Sequence, residues 1–196
     1  MNILNGEGIR VESSVGKWDG WYEGKTAADI GAFRYGDTVT YQMAADFLAD
    51  MESVEDWGCG LGGFKRFRPQ GYIGIDGSLT PVADKIADLS EYRSDVDGIV
   101  MRHVLEHNYG WSKILAGAID SCRKKLCLIL FTPFAEITTE IGNDKAGGVD
   151  VPIISFARVD IERLFAGHNF RMETVVTATA YGQEHIYFVG LKGVKK

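Results

Sequence analysis

A chain of 196 residues, 45% of them apolar, with a formal net charge of −6, is long enough for one domain with a sizeable core. Its acidic balance argues against a nucleic-acid partner, which usually leaves a basic footprint. Three cysteines, Cys59, Cys122 and Cys127, fit reduced thiols better than a disulfide framework; with no run long enough for a membrane span and no signal-peptide segment, the expectation is a soluble, cytoplasmic protein.

Residues 1–36 are rich in glycine, charge and aromatics and show no sustained period. They read as an arm, either a strap packed on the core or a lid that uses Trp18, Trp21, Tyr22, Arg34 and Tyr35 over a substrate. Residues 37–196 read as a single domain. Asp37 or Thr38 can cap a helix to about Asp50, with Val39, Met43, Ala44, Phe47, Leu48 and Met51 on its apolar face. Strands are expected at 53–56, 72–76, 85–89 and 97–103. Between the first two, residues 64–68 leave room for only one helical turn before Pro69. A helix is expected at 110–124. The apolar run Leu126–Phe131 reads as a strand buried on both faces. The segment 135–157 reads mainly as loop, 158–166 as a helix stopped by Gly167, and 170–179 with 184–191 as a closing hairpin. Alternating strands and helices predict an α/β fold, a Rossmann-like three-layer sandwich with a mostly parallel sheet.

The organising stretch is Val54-Glu55-Asp56-Trp57-Gly58-Cys59-Gly60-Leu61-Gly62-Gly63, a short apolar run that ends on an acid and enters a glycine loop. A second run, Tyr72-Ile73-Gly74-Ile75, ends on Asp76. Glycines let backbone approach a ligand closely, and a carboxylate at a strand tip can accept both hydroxyls of a ribose. Gly58, Gly60 and Gly63 match the spacing of a dinucleotide fingerprint. Pyrophosphate binding, however, relies on a well-formed helix after the loop, and here there is almost none. S-adenosylmethionine fits better. It carries adenine and ribose without phosphate, and its sulfonium suits a site ringed by Asp56, Asp76 and Asp88.

These residues resemble the motifs of class I S-adenosylmethionine-dependent methyltransferases. Glu55-Asp56-Trp57-Gly58-Cys59-Gly60-Leu61-Gly62 resembles the first motif, with Trp57 where an aliphatic residue is usual. Gly74-Ile75-Asp76-Gly77-Ser78 resembles the second, and Ala87-Asp88-Leu89 the third. Asp97-Gly98-Ile99-Val100 with His103-Val104-Leu105-Glu106-His107 resembles the fourth-strand motif of the ubiquinone/menaquinone-biosynthesis-like branch. The resemblance spans residues 38–191. It implies a seven-stranded sheet with an antiparallel last strand, and a site made of cofactor-binding positions. Asp56, Gly58, Cys59 and Gly60 would hold the methionine part, Asp76 with Gly77 and Ser78 the ribose, and Asp88 and Leu89 the adenine. Arg102 and His103 would lie near the sulfonium. The segments 64–71 and 77–86 are shorter than the helices the family usually has there.

His103-x-x-Glu106-His107 also matches an inverted zinc-peptidase signature. Zinc binding needs both histidines on one helical face, whereas this segment comes directly off a strand. The expectation is therefore no metal, with His107, or alternatively His103, as a general base for an acceptor hydroxyl. His168 reads as a turn residue, and His185 as either pocket-facing or exposed. Thr132-Pro133-Phe134 lacks the polar amide or acid and the second proline of the amino-methylating motif, which demotes a nucleic-acid base as acceptor. The reading is a methyltransferase that acts on a small-molecule or glycan-like acceptor, most simply at oxygen, and releases S-adenosylhomocysteine. The alternatives are a nucleic-acid or N-methyltransferase and a non-catalytic S-adenosylmethionine-binding module.

Overall fold

The computed structural model describes residues 15–26, 28–29, 39–145 and 149–192. The short helix α1 (Asp19–Tyr22) and helix α2 (Val39–Phe47) precede the sheet. Then follow β1 (Val54–Trp57), β2 (Tyr72–Asp76), β3 (Lys85–Ile86), β4 (Val96–Arg102), α3 (Trp111–Ser121) and β5 (Cys122–Leu130). The chain continues through β6 (Thr139–Asp144), β7 (Val151–Ser155), α4 (Arg158–Leu164), β8 (Asn169–Val176) and β9 (Gln183–Gly190). Seven strands form one sheet in the order β3-β2-β1-β4-β5-β9-β8. Strands β1 to β5 run parallel to one another, and β9 enters antiparallel between β5 and β8.

Side-chain alternation along the central strands builds two cores. Ile99 and Met101, Leu126, Leu128 and Leu130, and Tyr187 and Val189 point to one face, where Ile114, Leu115 and Ala118 of α3 and Ile161 of α4 cover them. Val100, Cys127 and Ile129, and Ile186 and Phe188 point to the other, under Ala44 of α2, Leu48 just after it, and Phe64. Three layers result, as the alternation of elements predicts. All three cysteines are buried and free, and among the described residues no helix is long and apolar enough to cross a membrane.

Several boundaries differ from expectation. The third strand keeps only Lys85–Ile86, so Asp88 lies past its end, where its Oδ1 accepts the Ser90 N–H at 2.9 Å and tightens a turn. Helix α3 stops at Ser121 and β5 begins at once, because Cys122 takes an extended conformation and pairs with Val96. The segment expected to be mainly loop carries the antiparallel hairpin β6–β7. Its β6 has Ile141 as its one apolar side chain and so shows no apolar alternation in sequence, whereas β7 is mostly buried. The expected single turn after the glycine loop is there, as a 3-10 turn at Phe64–Arg66. Asp37 and Thr38, the proposed caps, lie outside the described residues, as do Arg34 and Tyr35 of the arm.

Candidate functional site

The strand order reverses direction at β1, between β1 and β4, and the tips of β1, β2 and β4 open into a cavity of about 410 Å³. Such a switch point is where open α/β sheets bind ligands, and the volume suits a small molecule. Three segments wall the cavity: the arm through Trp18, Trp21 and Tyr22; the β6–β7 hairpin through Asp144 and Ile153; and the β8–β9 turn through Ala178–Tyr181.

The glycine loop follows from its backbone. Gly58 has φ +78°, and a Cβ there would stand 2.3 Å from Val104 Cγ2, so the position strongly favours glycine. The Gly58 and Cys59 N–H groups both donate to the Ile75 carbonyl, at 2.8 and 3.1 Å. The Gly60 N–H donates to Asp76 Oδ2 at 2.9 Å, and the Gly62 N–H to the Cys59 carbonyl at 2.8 Å. These donors are spent on the end of β2 and within the loop. That is the wrong preparation for a pyrophosphate, which needs them, and leaves carbonyl oxygens of the loop as its complement for a cationic ammonium. Asp76 is buried, lines the cavity and takes the Ser78 N–H on Oδ1 at 2.9 Å. Burial pushes its carboxyl above the usual range, against the backbone donors that lower it. Each oxygen, with one N–H taken, keeps acceptor capacity for a ligand hydroxyl.

Gly58, Cys59, Gly60, Asp76, Gly77, Leu89, Arg102, His103, His107, Trp18, Trp21 and Tyr22 all line the cavity. Asp56, Ser78 and Asp88 do not. Asp56 sits beneath the loop, where its Oδ2 accepts the Tyr72 hydroxyl at 3.2 Å and burial pushes its carboxyl up to about 7. Ser78 is buried, and its Oγ accepts the Trp18 N–H at 2.9 Å. That bond, with Leu79 N–H to Asp19 Oδ1 at 2.8 Å and Gly16 N–H to the Gly77 carbonyl at 2.7 Å, fastens the arm to the loop after β2. From there the Trp18 ring reaches across to His107, with ring centroids 5.2 Å apart. Trp57, unusual in its motif, fits because its indole N–H donates to buried Glu55 at 2.8 Å, which also accepts from Tyr92 and Ser94.

His103 is the sole non-glycine residue with positive φ, +59°, among the described residues, a conformation that stores strain and recurs at functional sites. Its Nε2 bonds Glu184 Oε1. Glu184 is fully buried, takes Arg102 Nε on the same oxygen at 2.9 Å and takes the Thr40 hydroxyl on Oε2 at 3.0 Å. The Arg102 guanidinium also lies over the Tyr41 ring, 4.3 Å from its centroid. Burial and then the Arg102 charge push His103 down to about 4. Burial would raise Glu184, but donation by His103 and Arg102 outweighs it and holds the carboxyl low. His107 lies in the 3-10 turn Leu105–His107, with Nδ1 3.0 Å from the Pro152 carbonyl; burial lowers its pKa too. Acceptor-only partners fix the neutral tautomers: His103 is protonated on Nε2 and His107 on Nδ1, leaving Nδ1 and Nε2 respectively as proton acceptors. A strand tip and a 3-10 turn do not stack these rings on one helical face, as the zinc signature requires.

His185 is neither exposed nor at the cavity: it is buried and stacks on Phe134, with ring centroids 4.1 Å apart. His168 is in a turn and takes the Lys192 N–H on Nδ1 at 3.3 Å. Thr132 Oγ1 donates to the Ile154 carbonyl at 2.8 Å and so ties β5 to β7. Sequence reasoning missed Tyr41, Asn108, Phe131, Asp144 and Tyr181, which also line the cavity, and the part Glu184 plays behind it. Glu184 stands in a strand-like run with no local sign of a buried partner.

No family model and no curated protein sequence matches the chain. Solved structures do match it in fold. The magnesium protoporphyrin IX methyltransferase of Synechocystis with bound SAM aligns with a TM-score of 0.58 and 18% identity over 87% of this chain and 94% of that one. The 1,6-didemethyltoxoflavin-N1-methyltransferase of Burkholderia thailandensis, with its substrate and S-adenosylhomocysteine bound, aligns with a TM-score of 0.60 and 15% identity over 78% and 76%. An O-methyltransferase family protein from the same organism aligns with a TM-score of 0.55 and 10% identity over 81% and 57%. The chain has the Rossmann-like fold of these methyltransferases.

Proposed function

We propose that this chain is a class I S-adenosylmethionine-dependent methyltransferase acting on a small molecule. The observation that carries the reading is the pairing of Gly60 N–H with Asp76 at the sheet's switch point, which presents a strand-tip carboxylate beside a loop whose Gly58, Cys59, Gly60 and Gly62 N–H groups are already spent. That arrangement suits a ribose and an ammonium and disfavours a phosphate. The fold shared with cofactor-bound methyltransferases supports it.

In this reading Asp76 holds the ribose hydroxyls, Leu89 packs on the adenine, and the carbonyls of the Gly58–Gly60 loop receive the amino group. Asp56 supports the loop from below, and Ser78 anchors the arm. The donor, when bound, supplies a methyl group activated by a cationic sulfur. Trp18, Trp21 and Tyr22 close over the site and exclude water. His107 accepts the acceptor's proton, with the Pro152 carbonyl fixing its tautomer. The arm, 1–36, thus works with the domain, 37–196, rather than as an unrelated strap.

Calorimetry with S-adenosylhomocysteine and with NAD tests the reading. Saturable heat with the first and none with the second is expected; the reverse result overturns it. Transfer of labelled methyl to an acceptor panel then separates an enzyme from a non-catalytic binding module.

A further inference from the structure

Around His103 and His107, rings dominate the cavity wall. Phe131 lies 4.8 Å from His103, 5.5 Å from His107 and 5.9 Å from Tyr181 between ring centroids, and Trp18 closes the group against His107. Of the polar side chains there, Arg102 is bound to Glu184, Asn108 Nδ2 to the Val104 carbonyl at 2.7 Å and Thr179 to the Gln183 carbonyl at 3.0 Å, while Asp144 and Lys17 also line the cavity and act on His107 with opposite charges. A glycan needs many hydrogen-bonding groups turned toward its hydroxyls. This part of the wall is instead mostly ring surface, with the His103 and His107 imidazoles among it.

We propose that the acceptor is a planar aromatic hydroxyl, of the phenol or hydroxy-heteroaromatic class, which packs on Phe131 and Trp18 and donates its O–H to His107 Nε2. The proposal rests on the methyl-transfer reading and names its substrate class. Base strength points the same way. Burial holds both imidazoles below their ordinary basicity. A weak base is mismatched to an aliphatic alcohol, which is about as weak an acid as water, and far better matched to a phenol at about 10. In the transfer, the hydroxyl oxygen forms its bond to the methyl carbon, and the broken carbon–sulfur pair stays on sulfur as a neutral thioether. The hydroxyl proton ends on His107.

The test is calorimetry on the full chain loaded with S-adenosylhomocysteine, titrated with 2-naphthol, its saturated counterpart 2-decalol, and methyl glucoside. Binding of 2-naphthol at least about tenfold tighter than either alcohol is expected, with Trp18→Ala and Phe131→Leu each weakening it by about fivefold through lost ring contact. Methyl transfer to 2-naphthol should give its methyl ether. Equal or tighter binding of 2-decalol or methyl glucoside overturns the acceptor class while leaving the cofactor reading intact. So does 2-naphthol binding indifferent to both substitutions. Absence of any heat with S-adenosylhomocysteine itself overturns the underlying reading instead.

Discussion

Glu184 Oε1 accepts both Arg102 Nε, at 2.9 Å, and the bond from His103 Nε2, joining β9 to the tip of β4 across the intervening β5. Consecutive residues of a strand point to opposite faces, so Arg102 and His103 could not both reach one carboxylate in regular β structure. The positive φ of His103 breaks the alternation. Backbone strain at one residue thus places a guanidinium and an imidazole on the same buried anion, beside the cavity.

Glu184→Gln should destabilise the protein by about 3 to 5 kcal/mol, since it leaves Arg102 charged and buried without its counter-ion. Urea denaturation at pH 7 measures it. Because Glu184 is held below its ordinary pKa, its contribution is present above the unfolded value and lost as pH falls through the folded one. Wild type and variant should converge in acid.

The pH dependence of stability should have two limbs. His103, pushed down to about 4, is protonated in the unfolded chain near 6.5 but not in the fold. Stability therefore falls from pH 6.5 toward 4, by on the order of 3 kcal/mol. Glu106 is fully buried, accepts the Phe131 N–H at 2.6 Å and is pushed up to about 8 by burial. Its folded pKa is raised, so its contribution is whole below about 4.5 and is lost as pH rises through 8. Glu106→Gln should match wild type at pH 5 and exceed it by roughly 3 to 5 kcal/mol at pH 8. Denaturant melts at both pH values decide this.

His107→Asn should lower kcat by about 100-fold or more, the range a general base supplies, with little change in affinity for S-adenosylhomocysteine. The half-maximum of the wild-type kcat/KM profile should lie below pH 6.5, because burial lowers this imidazole. An undiminished kcat in the variant would assign the proton to His103 or to solvent.

Asp76→Asn should weaken S-adenosylhomocysteine by about tenfold to a hundredfold, the worth of hydrogen bonds to a charged group. Asparagine can still accept one of the two backbone N–H groups, so the fold should survive. Calorimetry gives the affinity and circular dichroism the fold.

Gly58→Ala combines a left-handed backbone with a Cβ placed 2.3 Å from Val104. Strain and overpacking together should cost about 2 to 5 kcal/mol, measurable as a lowered Tm. Val104→Ala in the same chain should recover part of the loss, since it removes the clash and not the φ.

The strands and the glycine loop were legible because their signals are local. Apolar runs ending in Asp56 and Asp76 mark strand tips, and glycine marks a backbone that must turn left-handed. β2 falls at 72–76 as expected, and the single turn before Pro69 is there. The β6–β7 hairpin was not legible, because β6 has a single apolar side chain, Ile141, and its composition is that of a loop. Asp88 shows the limit of motif reasoning: its side chain tightens a turn outside the cavity, while neighbouring Leu89 lines it.

By itself the sequence determined the order of elements, the two-faced sheet and the carboxylate-flanked loop, because each depends on residues a few positions apart. Only the tertiary structure decided which groups can act. Glu184 meets His103 over 81 residues and Pro152 meets His107 over 45. The protonation state and tautomer of an imidazole depend on such distant partners and on burial, neither of which is written in its immediate neighbours.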